Sequence, residues 1–89
     1  MKIYNWNPEK DEELRAGRGI SFDDIVQAIQ NGSLLDDVNH PNTEKYSHQR
    51  LLIVEIDSYA YVVPYVIEDN GIKFLKTIYP SREATKEYL

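Results

Sequence analysis

Arg50, Tyr65 and Lys76 sit in or beside three consecutive apolar runs, and short links between the runs place them on one row. The runs are Leu51 to Ile56, Tyr59 to Ile67 and Ile72 to Tyr79, rich in the β-branched and aromatic residues that pleated, largely buried strands need. Asp69-Asn70-Gly71 contains an Asn-Gly pair, which tolerates positive φ at both centres of a type I′ turn, and Asp57-Ser58 is a weaker form of the same signal. With two-residue turns in both places, Arg50 opposes Tyr65 and Tyr65 opposes Lys76, with His48 two positions along and Tyr61 on the same side. Two cations, a phenol and an imidazole at one end of a sheet face could bind a phosphate and move a proton. Cleavage of RNA by its own 2′-hydroxyl asks for little more: a base, an acid, and cations that stabilise the charged phosphorane. The plainer alternative is that Arg50 and Lys76 pair with surplus carboxylates at a solvent edge. A one-residue change in either link would move every assigned side chain to the other face.

Other chemistries find less in the chain. His40 and His48 are the only histidines, and with Asp36, Asp37 and Glu44 they form no recognisable ligand spacing, so no metal and no cofactor are expected. Gly17-Arg18-Gly19 has too few glycines and no following Lys-Ser/Thr for a phosphate loop, and no serine nucleophile comes with a motif. With no cysteine there is no thiolate or disulfide chemistry, which fits a reducing compartment. The seven tyrosines could stack bases, but Tyr59, Tyr61 and Tyr65 alternate with Ala60, Val62 and Pro64, as the larger half of a two-sided core would.

The elements that must position the row are legible from caps and periodicity. Ile3 to Trp6 alternates as a short edge strand would. Asn7 caps and Pro8 opens a helix to about Ala16, ended by Gly17, whose Lys10, Asp11, Glu12 and Glu13 read as a solvated face. Ser21 caps a second helix in which Phe22, Ile25, Val26 and Ile29 form one apolar stripe, read as cover for the sheet, with Gly32 past its end. Leu34 to Val38 reads as a short strand, Asn39 to Ser47 as a polar loop, and Ser81 as the cap of a last helix, Arg82 to Leu89, with Pro80 ending the preceding strand.

Eighty-nine residues make one small domain, which buries only about 60% of its unfolded surface and has little room for a large cofactor. The formal charge of −5 opposes generic adsorption to a phosphate backbone and suits a basic protein partner. Met1-Lys2-Ile3-Tyr4-Asn5 contains no apolar leader core, and no window approaches the roughly 18 apolar residues of a membrane span, so a cytoplasmic protein is expected.

Three stretches carry a resemblance. Trp6-Asn7-Pro8-Glu9-Lys10, Gly19-Ile20-Ser21-Phe22-Asp23-Asp24-Ile25 and Ile78-Tyr79-Pro80-Ser81-Arg82-Glu83-Ala84-Thr85 resemble the early Trp-Asp-x-x-Lys, the Gly-Val-Ser-Phe-Glu-Glu-Ala and the Ile-Ile-Ser-Ala-Arg-x-Ala motifs of BrnT-type toxins, within the wider RelE/ParE-like group. Where that family has Lys-His-Gly before its Val-Ser-Phe, this chain has Gly17-Arg18-Gly19, and the family is typically more basic. The resemblance implies a RelE-like α+β fold, metal-independent cleavage of messenger RNA, and pairing with a cognate antitoxin. It also makes Arg82 the first choice for phosphate contact. The expectation is thus an α+β domain: an antiparallel sheet of about four strands, two N-terminal helices on one face, and a short C-terminal helix at its edge. Arg82 and Lys76 would hold the scissile phosphate beside Arg50, and His48 or Tyr65 would move the proton. A non-catalytic interaction module of the same fold, or an RNA-binding domain without cleavage, are the rival expectations.

Overall fold

A computed structural model describes residues 3–89; Met1 and Lys2, and with them the reading of a leader, lie outside the described residues. Among the described residues the fold is α+β, with three helices and a six-stranded mixed sheet. In chain order the elements are β1 (Tyr4–Trp6), α1 (Pro8–Arg18), α2 (Phe22–Gln30), β2 (Leu34–Asn39), β3 (Arg50–Ile56), β4 (Tyr59–Ile67), β5 (Lys73–Leu75), β6 (Tyr79–Pro80) and α3 (Arg82–Tyr88).

Capping chemistry sets the helices. The Asn7 side chain accepts from the N–H groups of Glu9 (2.8 Å) and Lys10 (3.2 Å), and Pro8 takes a position where its missing N–H costs nothing. α1 runs through Gly17 and stops at Gly19, whose φ of 68° is the left-handed geometry that ends helices, so the expected stop at Gly17 falls two residues early. At the start of α2 a capping box closes: Ser21 Oγ accepts from Asp24 N–H, and Asp24 Oδ2 accepts from Ser21 N–H. Asp11, in the run read as solvated, has a more specific role. Its Oδ1 accepts from Phe22 N–H at 2.8 Å and ties the start of α2 to α1.

The sheet order is β1-β5-β4-β3-β2, with β6 also paired to β4. Both faces are apolar, so both need cover. Leu14 of α1, Ile20, and Phe22 and Ile25 of α2 bury against Leu52, Val54, Val63, Tyr65, Leu75 and Ile78. Ala84 of α3 buries against Leu51, Ile53, Ala60 and Val62 on the opposite face. Completely burying a side chain such as Phe22 or Ile25 contributes about 2 kcal/mol, enough for two short helices to be held by packing.

Two expectations are corrected. The sheet is not an antiparallel one of about four strands: β1 joins it parallel to β5, with Tyr4 beside Lys73 and Trp6 beside Leu75, and Tyr79–Pro80 adds a short sixth strand. Pro80 is the last residue of that strand, where it pairs with Tyr61. Nor does α3 lie at the edge. It covers the second face because Leu51, Ile53 and Val62 would otherwise meet water. Among the described residues no helix is long and apolar enough to cross a membrane.

Candidate functional site

The two links decide which side chains meet. Between β3 and β4, Asp57 (φ 53°) and Ser58 (φ 64°) form a two-residue turn with both centres left-handed, and Arg50 pairs with Tyr65 as the spacing predicts. Between β4 and β5 the link holds three residues. Glu68 C=O accepts from Gly71 N–H and Glu68 N–H donates to Ile72 C=O, both at 2.8 Å, and Gly71 alone in this link takes positive φ (83°). Asn70 Oδ1 accepts from Ile72 N–H at 3.0 Å, which favours a type I turn closed by a left-handed glycine over the type I′ form.

That extra residue moves the register by one, so Tyr65 pairs with Leu75 and Ile67 with Lys73. Lys76 leaves the row. It is exposed, its N–H donates to Pro64 C=O (2.8 Å), and its ammonium lies 5.5 Å from the Phe74 ring centroid. Lys73 takes its place on the face of Tyr65, with Nζ 5.6 Å from the Tyr65 ring centroid.

Arg50 and Tyr65 meet over a residue that the spacing did not single out. A register shift in β2 between Leu34 and Asp36 sets Asp37 opposite Leu52 and Asp36 opposite Ile53, so the two neighbouring acids face opposite sides of the sheet. The Tyr65 hydroxyl donates to Asp37, 2.7 and 2.8 Å from its two carboxylate oxygens. Arg50 Nε lies 3.0 Å from Asp37 Oδ1 and 3.2 Å from the Tyr65 hydroxyl; Nη2 donates to Asp37 C=O and Nη1 to Asn39 Oδ1. Burial, then the hydrogen bond to Asp37, pushes the Tyr65 phenol up to about 12, while its bonds to Tyr65 and Asp37 raise Arg50 further. The group is half open: the Arg50 side chain is 36% exposed and that of Asp37 31%. Across the sheet the Tyr88 hydroxyl donates to Asp36 at 2.7 Å, which pushes Tyr88 up to about 12 and lowers Asp36.

The expected site residues therefore divide. Arg50 and Tyr65 come together; Lys76, His48 and Arg82 do not join them. His48 is exposed in the turn ahead of β3, and Arg82 is the exposed first residue of α3, on the opposite face. Tyr61 shares the Tyr65 face but lines a cavity of about 460 Å³ between α2 and the β3–β4 turn, 6.0 Å edge-on from Tyr59. Asp37, Asn39 and Lys73 were missed. The signal for Asp37 was two adjacent acids inside a strand, which need partners on both faces; Lys73 needed the correct loop length.

What remains is a carboxylate, a phenol and a guanidinium in hydrogen-bond contact with an ammonium beside them. Of the five N–H groups of Arg50, three are committed, leaving one on each terminal nitrogen for an anion. Among the described residues no group of three or more His, Asp or Glu side chains is placed to hold a metal ion. No protein-family model, curated protein sequence or solved structure matches the chain.

Proposed function

We propose that this chain is the toxin-like component of a bacterial toxin/antitoxin pair, a metal-independent endoribonuclease. The observation that carries the reading is the half-open Arg50–Asp37–Tyr65 group with Lys73 over the phenol ring. It has support from the three motif likenesses and from the α+β order of elements: β1, α1 and α2, then the antiparallel meander β2–β3–β4–β5, then β6 and α3.

In this reading the two uncommitted N–H groups of Arg50 and the Lys73 ammonium hold the scissile phosphate and stabilise the phosphorane. The proton of the 2′-hydroxyl passes to water, because the exposed His48 does not join the group. The 2′-oxygen bonds to phosphorus, the bond to the 5′-oxygen breaks, and that oxygen takes a proton from Tyr65. A phenol held near 12 keeps its proton at neutral pH and can only be the donor. Asp37 orients both. The products are a 2′,3′-cyclic phosphate and a 5′-hydroxyl. Arg82 and Lys76 take no part, because neither shares the face of Arg50 and Tyr65.

The test is cleavage of a synthetic single-stranded RNA by purified protein in EDTA, with growth followed after induction in a bacterium. Arg50→Ala should lower cleavage by about 10²–10³-fold and restore growth, whereas Lys76→Ala and Arg82→Ala should leave both as they are. Normal growth at verified expression, with RNA intact, overturns the reading. One observation then favours a non-catalytic interaction module of the same fold: Asp37 already neutralises Arg50 and occupies the Tyr65 hydroxyl.

A further inference from the structure

The face opposite the Arg50–Tyr65 group carries a second concave surface. α3 has only seven residues, and Val38 and Tyr88 beside it are only partly buried. Beside it runs a groove of about 490 Å³, with Leu51, Ile53 and Val62 in its floor and Tyr79, 37% exposed, on its wall. The charges of α3 are sorted about this groove. Glu83 and Glu87, four apart and so on one side of the helix, line it, while Arg82 and Lys86, also four apart, do not. Among the described residues neither Glu83 nor Glu87 has an ion-pair partner. Two uncompensated carboxylates above an apolar floor have a definite complement: a side chain that fills the floor, flanked by cations that meet the rim.

We propose that this groove is the docking site for a basic amphipathic segment of a partner protein, which buries an apolar side chain against Val38 and Tyr79 and places lysine or arginine against Glu83 and Glu87. The charge of −5 on the whole chain favours approach of such a segment and disfavours an acidic one. The inference rests on the partner half of the function proposed above and not on RNA cleavage. Arg50, Asp37 and Tyr65 do not line the groove, which shares with their group only Asn39, the acceptor from Arg50 Nη1.

The probe is a synthetic peptide of alternating lysine and leucine, compared with the same peptide carrying glutamate for lysine, titrated into the whole chain and followed by amide chemical-shift changes. The expected result is saturable shifts confined to β3, β4 and α3 around the groove, with the basic peptide only. Binding should weaken at least tenfold in the Glu83→Gln/Glu87→Gln double variant, whose isosteric changes keep α3 folded, as an unchanged shift for Ala84 would verify. Equal binding by the double variant, shifts spread over the acidic surface of α1 and α2, or no saturable binding each overturns the proposal. Because Glu83 and Glu87 lie outside the Arg50 group, RNA cleavage by the double variant should match the parent. Loss of peptide binding with cleavage intact, and loss of cleavage in Arg50→Ala with peptide binding intact, separate the two readings.

Discussion

At the residue scale one hydroxyl holds three strands together. Tyr65 belongs to β4, and its contacts reach Arg50 on β3 and Asp37 on β2. The whole residue is buried, 1% exposed, and its hydroxyl meets the partly exposed side chains of Arg50 and Asp37. Tyr65→Phe keeps the ring and leaves the carboxylate and guanidinium short of one partner, so it should lower unfolding free energy by about 1–2 kcal/mol in urea titrations. The pH dependence has a definite sign. Because the folded-state pKa is raised from 10.0 to about 12, the protonated phenol is the form that folding favours. Its contribution is therefore complete below pH 10 and lost as pH rises through about 12. Tyr88, raised to the same value by Asp36, behaves alike, so the native protein should melt at falling temperature above pH 10, and Tyr65→Phe should flatten that fall. An alkaline limb as steep in the variant as in the parent would remove Tyr65 from the account.

At the scale of elements, loop length outweighs strand composition. Gly71 adopts φ 83° and closes the link that sets the β4–β5 register, with open space where a Cβ would sit. Gly71→Ala thus meets no neighbour and suffers only from its backbone, which should cost about 1 kcal/mol, read as a lower urea midpoint at unchanged slope. The sequence conveyed one hairpin and misled on the other, for a physical reason. Asp57-Ser58 offers no glycine, yet only a two-residue turn fits between the strong runs on either side. Asn70-Gly71 does offer one, and the Asn70 side chain then stabilises a longer link by accepting from Ile72. Arg50 beside Tyr65 was legible because it depends on the first link alone. Lys76 was misplaced because it depends on the second. Asp37 was hidden by the register shift near Leu35, which no local pattern in Leu34 to Val38 announces.

At the scale of the whole molecule, the sheet is a partition with different chemistry on each side. The start of α1, the bounds of α2 and the apolar strands could be read from caps and β-branched runs. The parallel seat of β1 beside β5 could not, since a three-residue strand carries no record of its distant partner. Nor could the position of α3, which follows from both faces of β3 and β4 being apolar. Asp36 and Asp37 embody the partition, adjacent in sequence and bonded to Tyr88 on one face and Tyr65 on the other. Substitutions on the two sides should then be energetically independent, because Tyr65 and Tyr88 share no hydrogen-bond partner and their two acids are joined only through the Asp37 N–H, which donates to Asp36 Oδ1. In a double-mutant cycle, Tyr65→Phe combined with Tyr88→Phe should destabilise by the sum of the single effects to within about 0.5 kcal/mol. Coupling above about 1 kcal/mol would mean that β2 shifts as a unit when either tyrosine is lost. In that case a segment docked beside α3 would reach Arg50 through the Asp36–Asp37 backbone, and the two faces would have to be treated as one site.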